Sequence, residues 1–256
     1  MARVVGLDPR ELRPHEADAR HYNFAGYGDQ DIFNAGNPGF NFDADTNANA
    51  ILVGLDYDTF TSDYPLSYDG RDPISNDLEF FPWLQNHIES EFCVDMSHEY
   101  MTGYETGEWV VQQLNCKFPT RLRASIGMAG CEPGTPADPG GSLPTCVSNG
   151  PQATFFVHNT EDTAAPYPCI LPGCTRMLKQ NGCAVTDCSD PMDPNMTSPY
   201  TLPSGVIFLE RAVCRQFNGC PADYPVVFCT ATYPAIQQVE GDLPLVGWDW
   251  FVNRLR

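Results

Sequence analysis

The chain is expected to fold as an α/β protein, a mostly parallel sheet with helices on both faces. Three stretches carry that expectation. Ala50 to Tyr57 is an unbroken apolar run, as a strand covered on both faces requires. Asp77 to Glu91 sets Phe80, Phe81, Leu84 and Ile88 at helical spacing, so one face meets a sheet. Between Gly103 and Gly107 a strand-like stretch turns directly into a helix-like one, and a further strand runs from about Arg123 to Met128. Strand and helix patterns alternate through these segments.

The elements follow in order. Residues 3–7 (Arg-Val-Val-Gly-Leu) read as a short buried strand ending at Asp8-Pro9. Pro14 to Tyr27 reads as helical at its start, with Glu16, Ala17 and Ala19 ahead of the aromatic run His21 to Phe24. Residues 28–49 are rich in Gly, Asn and Asp and read as loop. Inside that loop Asp43-Ala44-Asp45-Thr46-Asn47 begins like a calcium loop. Ala48 stands at its sixth position and Gly54 at its twelfth, so a polar turn is expected instead. Asn76 is the expected N-cap of the helix at 77–91.

The strand His98–Thr102 then leads into Gly103-Tyr104-Glu105-Thr106-Gly107, and an amphipathic helix follows with Trp109, Val110, Gln113 and Leu114. Cys131 to Gly150 is a Pro/Gly-rich loop, and residues 153–157 form a buried strand ending near His158. A cysteine-rich excursion fills 169–204. Val206 to Phe208 and residues 211–214 continue the fold, and Tyr224 to Thr230 is the last strand. Leu245 to Leu255 closes as a helix whose Trp248, Trp250 and Phe251 are expected to pack rather than to bind. A single domain over residues 1–256 suits this length.

Composition narrows the function. The formal charge is −19 with only two lysines, Lys117 and Lys179. Nucleic acid binding needs a positive footprint that displaces counterions, so that class is excluded. No apolar run is long enough to span a bilayer. Eleven cysteines argue for disulfides and an oxidising compartment, with Cys93–Cys131 and bridges within 169–229 as the favoured pairs. No signal-peptide pattern opens the sequence, so it reads as the mature or truncated region of a secreted or periplasmic protein. The cysteines are scattered rather than set at zinc spacing; no metal and no cofactor are expected.

The turn at 103–107 has the Gly-x-X-x-Gly form of the nucleophile elbow. With it, the chain resembles the secreted polyhydroxybutyrate depolymerase and feruloyl esterase group of α/β hydrolases. Four pieces carry the resemblance. They are Asn76–Phe80 through Phe92-Cys93-Val94-Asp95; the elbow with Leu114-Asn115-Cys116-Lys117-Phe118-Pro119; His158-Asn159-Thr160-Glu161-Asp162 with Pro166-Tyr167; and the Asn181-Gly182-Cys183, Asn218-Gly219-Cys220 and Pro225–Cys229 segments. The resemblance implies an α/β-hydrolase fold, disulfide-bonded, with one or two strands ahead of residue 3 that this sequence does not contain. It implies a serine esterase acting on a small ester, a polyester or feruloylated plant-wall polysaccharide.

The same resemblance places the site residues. Glu105 stands at the nucleophile position, Asp162 at the triad-acid position, and Ile236 (or its neighbour Ala235) where the triad His is expected. Asp8, Tyr104 and Thr106 are the expected ligand contacts. Asp8-Pro9 corresponds to the oxyanion segment, although a proline has no N–H to donate. The five histidines are His15, His21, His87, His98 and His158, and none follows Asp162. Ser chemistry needs a hydroxyl, a base for its proton and donors for the oxyanion.

A relative that has lost serine-esterase activity is therefore the favoured expectation. An ester hydrolase working through Glu105 and Asp162 is the first alternative; a secreted carbohydrate- or polymer-binding protein is the second. Glycoside hydrolysis by paired carboxylates has no supporting geometry. His158 and His87 are expected to be structural. Ser125, mid-strand, and Ser142, in a loop, are unconvincing as replacement nucleophiles.

Overall fold

The computed structural model describes residues 18–24, 50–54, 76–92, 94–104, 106–134, 150–206, 212–232, 246–247 and 249–255. The strands are β1 (Asp18–Phe24), β2 (Ala50–Gly54), β3 (Val94–Tyr104), β4 (Ala124–Met128), β5 (Ala153–Asn159), β6 (Thr197–Pro199), β7 (Val213–Phe217) and β8 (Val226–Ala231). The helices are α1 (Asn76–Glu91), α2 (Thr106–Lys117) and α3 (Leu171–Gln180), with a 3-10 turn at Tyr167–Cys169 and a π-helical segment at Asp249–Arg254. One sheet holds all eight strands in the order β2-β1-β3-β4-β5-β8-β7-β6. The pairs from β2 to β8 are parallel, and β7 and β6 add an antiparallel edge.

From β1 the chain steps outward to β2, then returns past β1 to β3 and proceeds to the other side. The order therefore reverses between β1 and β3. Open α/β sheets bind their ligands beyond the carboxyl ends of the strands at such a reversal.

Side-chain alternation divides the core into two layers. On one face Phe81, Leu84 and Ile88 of α1 pack with Met101 of β3 and with Val110, Val111 and Leu114 of α2. The same face continues as Phe156 and Phe228 against Ile170, Cys174, Met177 and Leu178 around α3. On the other face Tyr100, Ile126, Phe155, Val157 and Val227 meet Trp250, Phe251 and Leu255. Trp250 and Phe251 thus pack, as expected; Trp248 lies outside the described residues.

Residues 18–24 are a strand, so Ala19, expected in the helical start of this segment, is in β1. His21, Tyr22, Asn23 and Phe24 pair with Tyr100 to Gly103 on one side, and the first three pair with Leu52 to Gly54 on the other. The helix-favouring Ala19 is overridden because a strand between two parallel neighbours satisfies backbone groups on both sides; Pro14, Glu16 and Ala17 lie outside the described residues. Strand β3 is longer than the expected His98–Thr102. Its first residues precede the pairing with β4, which starts at Tyr100–Ala124, and are only partly covered. No apolar pattern marks them.

Helix α2 is covered all round rather than amphipathic: every residue from Gly107 to Cys116 is buried. The cysteine-rich stretch contains a regular helix, α3, whose Gly173, Cys174, Met177 and Leu178 face inward. Bridges Cys174–Cys188, Cys183–Cys220 and Cys214–Cys229 fix this part, within the expected 169–229 window. Cys131 pairs with Cys169 rather than with Cys93. The reason is topological: Cys131 follows β4 at the carboxyl edge of the sheet, where the chain leaving the neighbouring β5 brings Cys169. Cys93, the strand expected at 3–7, the loop at 28–49 and Ser142 lie outside the described residues.

Candidate functional site

The register sets one row of residues across the carboxyl edge: Tyr104 pairs with Met128, Met128 with Val157, and Val157 with Cys229. Whatever follows these four strands therefore gathers on one rim. Strand β3 ends at Tyr104 and α2 begins at Thr106, leaving a single residue for the corner. That residue is Glu105, itself outside the described residues, as are Asp8 and Ile236.

The glycines on either side explain how the corner closes. A Cβ on Gly103 would collide with the Gly107 carbonyl and come within 2.7 Å of Val111 Cγ2. Only a bare backbone lets strand and helix approach this closely. Phe24, the last residue of β1, pairs with Gly103, so the corner lies at the reversal of strand order. Tyr104 is buried, 5% exposed, in the same core cluster as Met128, Val157 and Trp250. Thr106 supplies the first residue of α2, and its amide belongs to a helix N-terminus, where negative charge is favoured.

Asp162 follows β5 on the same rim, two strands from β3 and so about 10 Å across the sheet. Its Oδ1 accepts hydrogen bonds from the amides of Ala164 (2.8 Å) and Ala165 (2.9 Å), which fixes the loop that carries it. Asn159 Oδ1 accepts from the Glu161 amide in the same turn. His158 is 1% exposed and stacks on Tyr167 at 5.7 Å. Burial pushes its pKa down to about 4, against the upward pull of Asp162 and of the Pro166 and Ala165 backbone. Neither ring nitrogen makes a well-formed hydrogen bond. A neutral, enclosed imidazole is a packing residue, as the sequence suggested.

The other described histidines lie elsewhere. His87 is exposed on α1. His98 sits near the amino end of β3, with Asp95 Oδ2 at 2.5 Å and Ser97 Oγ at 3.0 Å from its Nδ1. Ser, His and Asp thus meet, but both partners address one ring nitrogen. A triad needs the hydroxyl on Nε2 and the carboxylate on Nδ1, so this cluster near the start of β3 lacks triad geometry. Ser125 is buried and accepts from Asn115 Nδ2 at 2.9 Å.

Sequence reasoning missed a buried polar network directly behind the corner. Glu108, on the first turn of α2, is fully buried. Its Oε2 accepts from the Gly130 amide at 2.5 Å, and Gln112 Nε2 approaches Oε1 at 3.4 Å. Burial raises its pKa to about 8, with Glu132 adding to the rise and the Gly130 and Gln112 contacts opposing it. Glu132 is held by Arg176, Nε to Oε1 at 2.7 Å and Nη2 to Oε2 at 3.2 Å, while the same guanidinium donates to Gln112 Oε1 at 2.8 Å. The strand-end residue Ala129 adopts φ 62 and precedes the Gly130 amide that bonds Glu108. Two glycines make room: a Cβ on Gly127 would lie 2.5 Å from Glu108 Oε1, and one on Gly173 would lie 2.7 Å from Glu132 Oε2. The network joins α2, the end of β4 and α3. Gly127, in mid-strand, was the sequence signal of a close approach.

Among the described residues no group of three or more His, Cys, Asp or Glu side chains could hold a metal ion, and no helix is long and apolar enough to cross a membrane.

No protein-family profile matches the chain. Feruloyl esterase C of Emericella nidulans is 24% identical over 153 residues, 59% of this chain and 47% of that protein. The Aspergillus niger protein named "Probable feruloyl esterase C" is 26% identical over 108 residues, 42% of this chain and 36% of that one. The chain thus spans less than half the length of these relatives. Among solved structures, a dipeptidyl aminopeptidase IV candidate from Bacteroides ovatus superposes with a TM-score of 0.50 at 13% identity, over 67% of this chain and 28% of that one. A Bacillus cereus carboxylesterase gives 0.49 at 12% identity, over 69% and 77%. The fold is that of the α/β hydrolases, and esterases are among the chain's relatives.

Proposed function

We propose that this chain is an esterase-type α/β-hydrolase domain that has kept the architecture of an acyl-transfer site and lost its serine chemistry. The observation that carries this reading is the corner itself. A one-residue connection between β3 and α2 lies at the reversal of strand order, and it supports reading Glu105 as the residue at the nucleophile position of an esterase. In this reading Asp162, beyond β5, takes the acid position, and Ile236, later in the sequence than β8, takes the position expected for the base.

The chemistry supports loss rather than replacement. A carboxylate attacking an ester forms an anhydride and expels an alkoxide, which needs a proton from a nearby acid. The buried imidazole of His158, with its pKa near 4, is neutral at pH 7 and has no proton of that kind to deliver. Removing one triad member already costs several powers of ten in rate, and here two positions differ. What remains is a rim with a helix N-terminus and a carboxylate, suited to holding an ester, a polyester or a plant-wall polysaccharide. Disulfides fit a secreted protein.

The test is hydrolysis of p-nitrophenyl acetate and methyl ferulate, with Glu105→Gln alongside. The reading expects no turnover above the buffer rate from either protein. Turnover by the parent chain that Glu105→Gln abolishes would overturn it and establish a carboxylate-based esterase.

A further inference from the structure

We propose that Asn195 is a modification site, carrying an oligosaccharide N-linked through its side-chain amide. Asn195-Met196-Thr197 has the Asn-x-Thr form of a glycosylation acceptor, with a residue other than proline in the middle. No other Asn of the 256 residues has Ser or Thr two positions later. The modification belongs to a secretory compartment, so the inference rests on the secretory reading of the disulfides.

The acceptor stands where a bulky group fits. Asn195 is exposed in the turn that enters β6. Asp193 closes this turn: its carbonyl accepts from the Met196 amide at 3.1 Å and the Thr197 amide at 3.0 Å. Among the described residues β6 is the outermost strand of the sheet, so an oligosaccharide leaving the turn meets no further strand. Asn195 Nδ2 donates to Asp193 Oδ1 at 2.9 Å. Glycosylation replaces one of its two hydrogens, and the other can keep this bond.

Thr197 sets the timing. It is 2% exposed, and its hydroxyl donates to the Asp193 carbonyl at 2.8 Å while accepting from Arg215 Nε at 2.9 Å. Folding thus hides the hydroxyl by which the acceptor is recognised, and transfer must precede the seating of β6. The partners that seat it come later in the chain: Arg215 to Phe217 of β7 pair with Thr197 to Pro199, and the Asn218 amide bonds the Met196 carbonyl at 2.9 Å. Synthesis from the amino end therefore presents Asn195 before they arrive.

In the transfer the Asn195 amide nitrogen attacks the anomeric carbon of a lipid-diphosphate-linked oligosaccharide. The N–C bond forms as the C–O bond to the diphosphate breaks. The lipid diphosphate leaves, and the displaced amide proton passes to a base.

The test secretes the whole chain from yeast behind a cleavable leader and measures its mass, intact and by peptide, before and after endoglycosidase H. The expected protein is heavier than its polypeptide, and the enzyme trims it to a single N-acetylglucosamine on Asn195. The added mass should vanish in Asn195→Gln and persist in Thr197→Ser. Secreted protein with its disulfides formed and Asn195 bare would overturn the proposal alone. Protein held in the cell with free thiols would overturn the secretory reading and the proposal with it.

Discussion

Glu108→Gln should remove a large part of the pH dependence of stability. In the folded chain this carboxyl titrates at about 8 because it is buried, against 4.5 for an open chain. Between those values the unfolded carboxyl has released its proton while the folded one keeps it. Stability from this group is therefore complete below pH 4.5 and is lost progressively as pH rises to about 8. At about 1.4 kcal/mol per pH unit, the loss is on the order of 5 kcal/mol. Glutamine keeps an acceptor for the Gly130 amide and cannot ionise. The two proteins should accordingly have similar stability at pH 4, and the variant should be the more stable at pH 8 by several kcal/mol. His158 slopes the other way, since its depressed pKa costs stability as pH falls from 6.5 towards 4. That slope is common to both proteins and cancels in their difference. Urea unfolding followed by tryptophan fluorescence, disulfides intact, at steps from pH 4 to 9 gives the difference curve. A flat curve across the 4.5 to 8 window would refute the reasoning.

Other substitutions test the packing around the corner. Gly103→Ala drives a methyl into the Gly107 carbonyl and Val111, and should cost about 1–3 kcal/mol in urea unfolding through overpacking. Arg176→Ala leaves the Glu132 carboxylate and Gln112 Oε1 without their shared donor; a loss of about 3–5 kcal/mol is expected for breaking a buried pair. Ala129→Gly should raise stability by up to about 1 kcal/mol, because φ 62 is strained for alanine and free for glycine. A melting temperature unchanged or lowered in that variant would contradict the strain.

What the sequence disclosed depended on how much of each signal was local. Strand β5 and helix α1 announce themselves through Ala153–Val157 and the Phe81, Leu84, Ile88 spacing, because their neighbours bury an unbroken apolar face. The corner was legible from Gly103 and Gly107 alone, since a one-residue strand-to-helix turn needs bare backbone. Asp162 was legible as a strand-end acid. Strand β1 was not: His21 to Phe24 mix polar and aromatic residues, and only pairing with β2 and β3 makes them a strand. Helix α2 was misread because Glu108, Gln112 and Asn115 look solvent-facing, yet each is buried and the first two join a network assembled from β4 and α3. The Cys131–Cys169 bridge was hidden for the same reason, as the crossing of loops after β4 and β5 is set by strand order.

The most direct test of the whole account is methyl ferulate hydrolysis by Glu105→Ser combined with Ile236→His. A scaffold still shaped for acyl transfer predicts burst or steady turnover in the double variant and none in the parent chain. A fully folded double variant as inert as its parent would contradict the claim that the β3–α2 corner and the rim beyond β8 face one another as an esterase site.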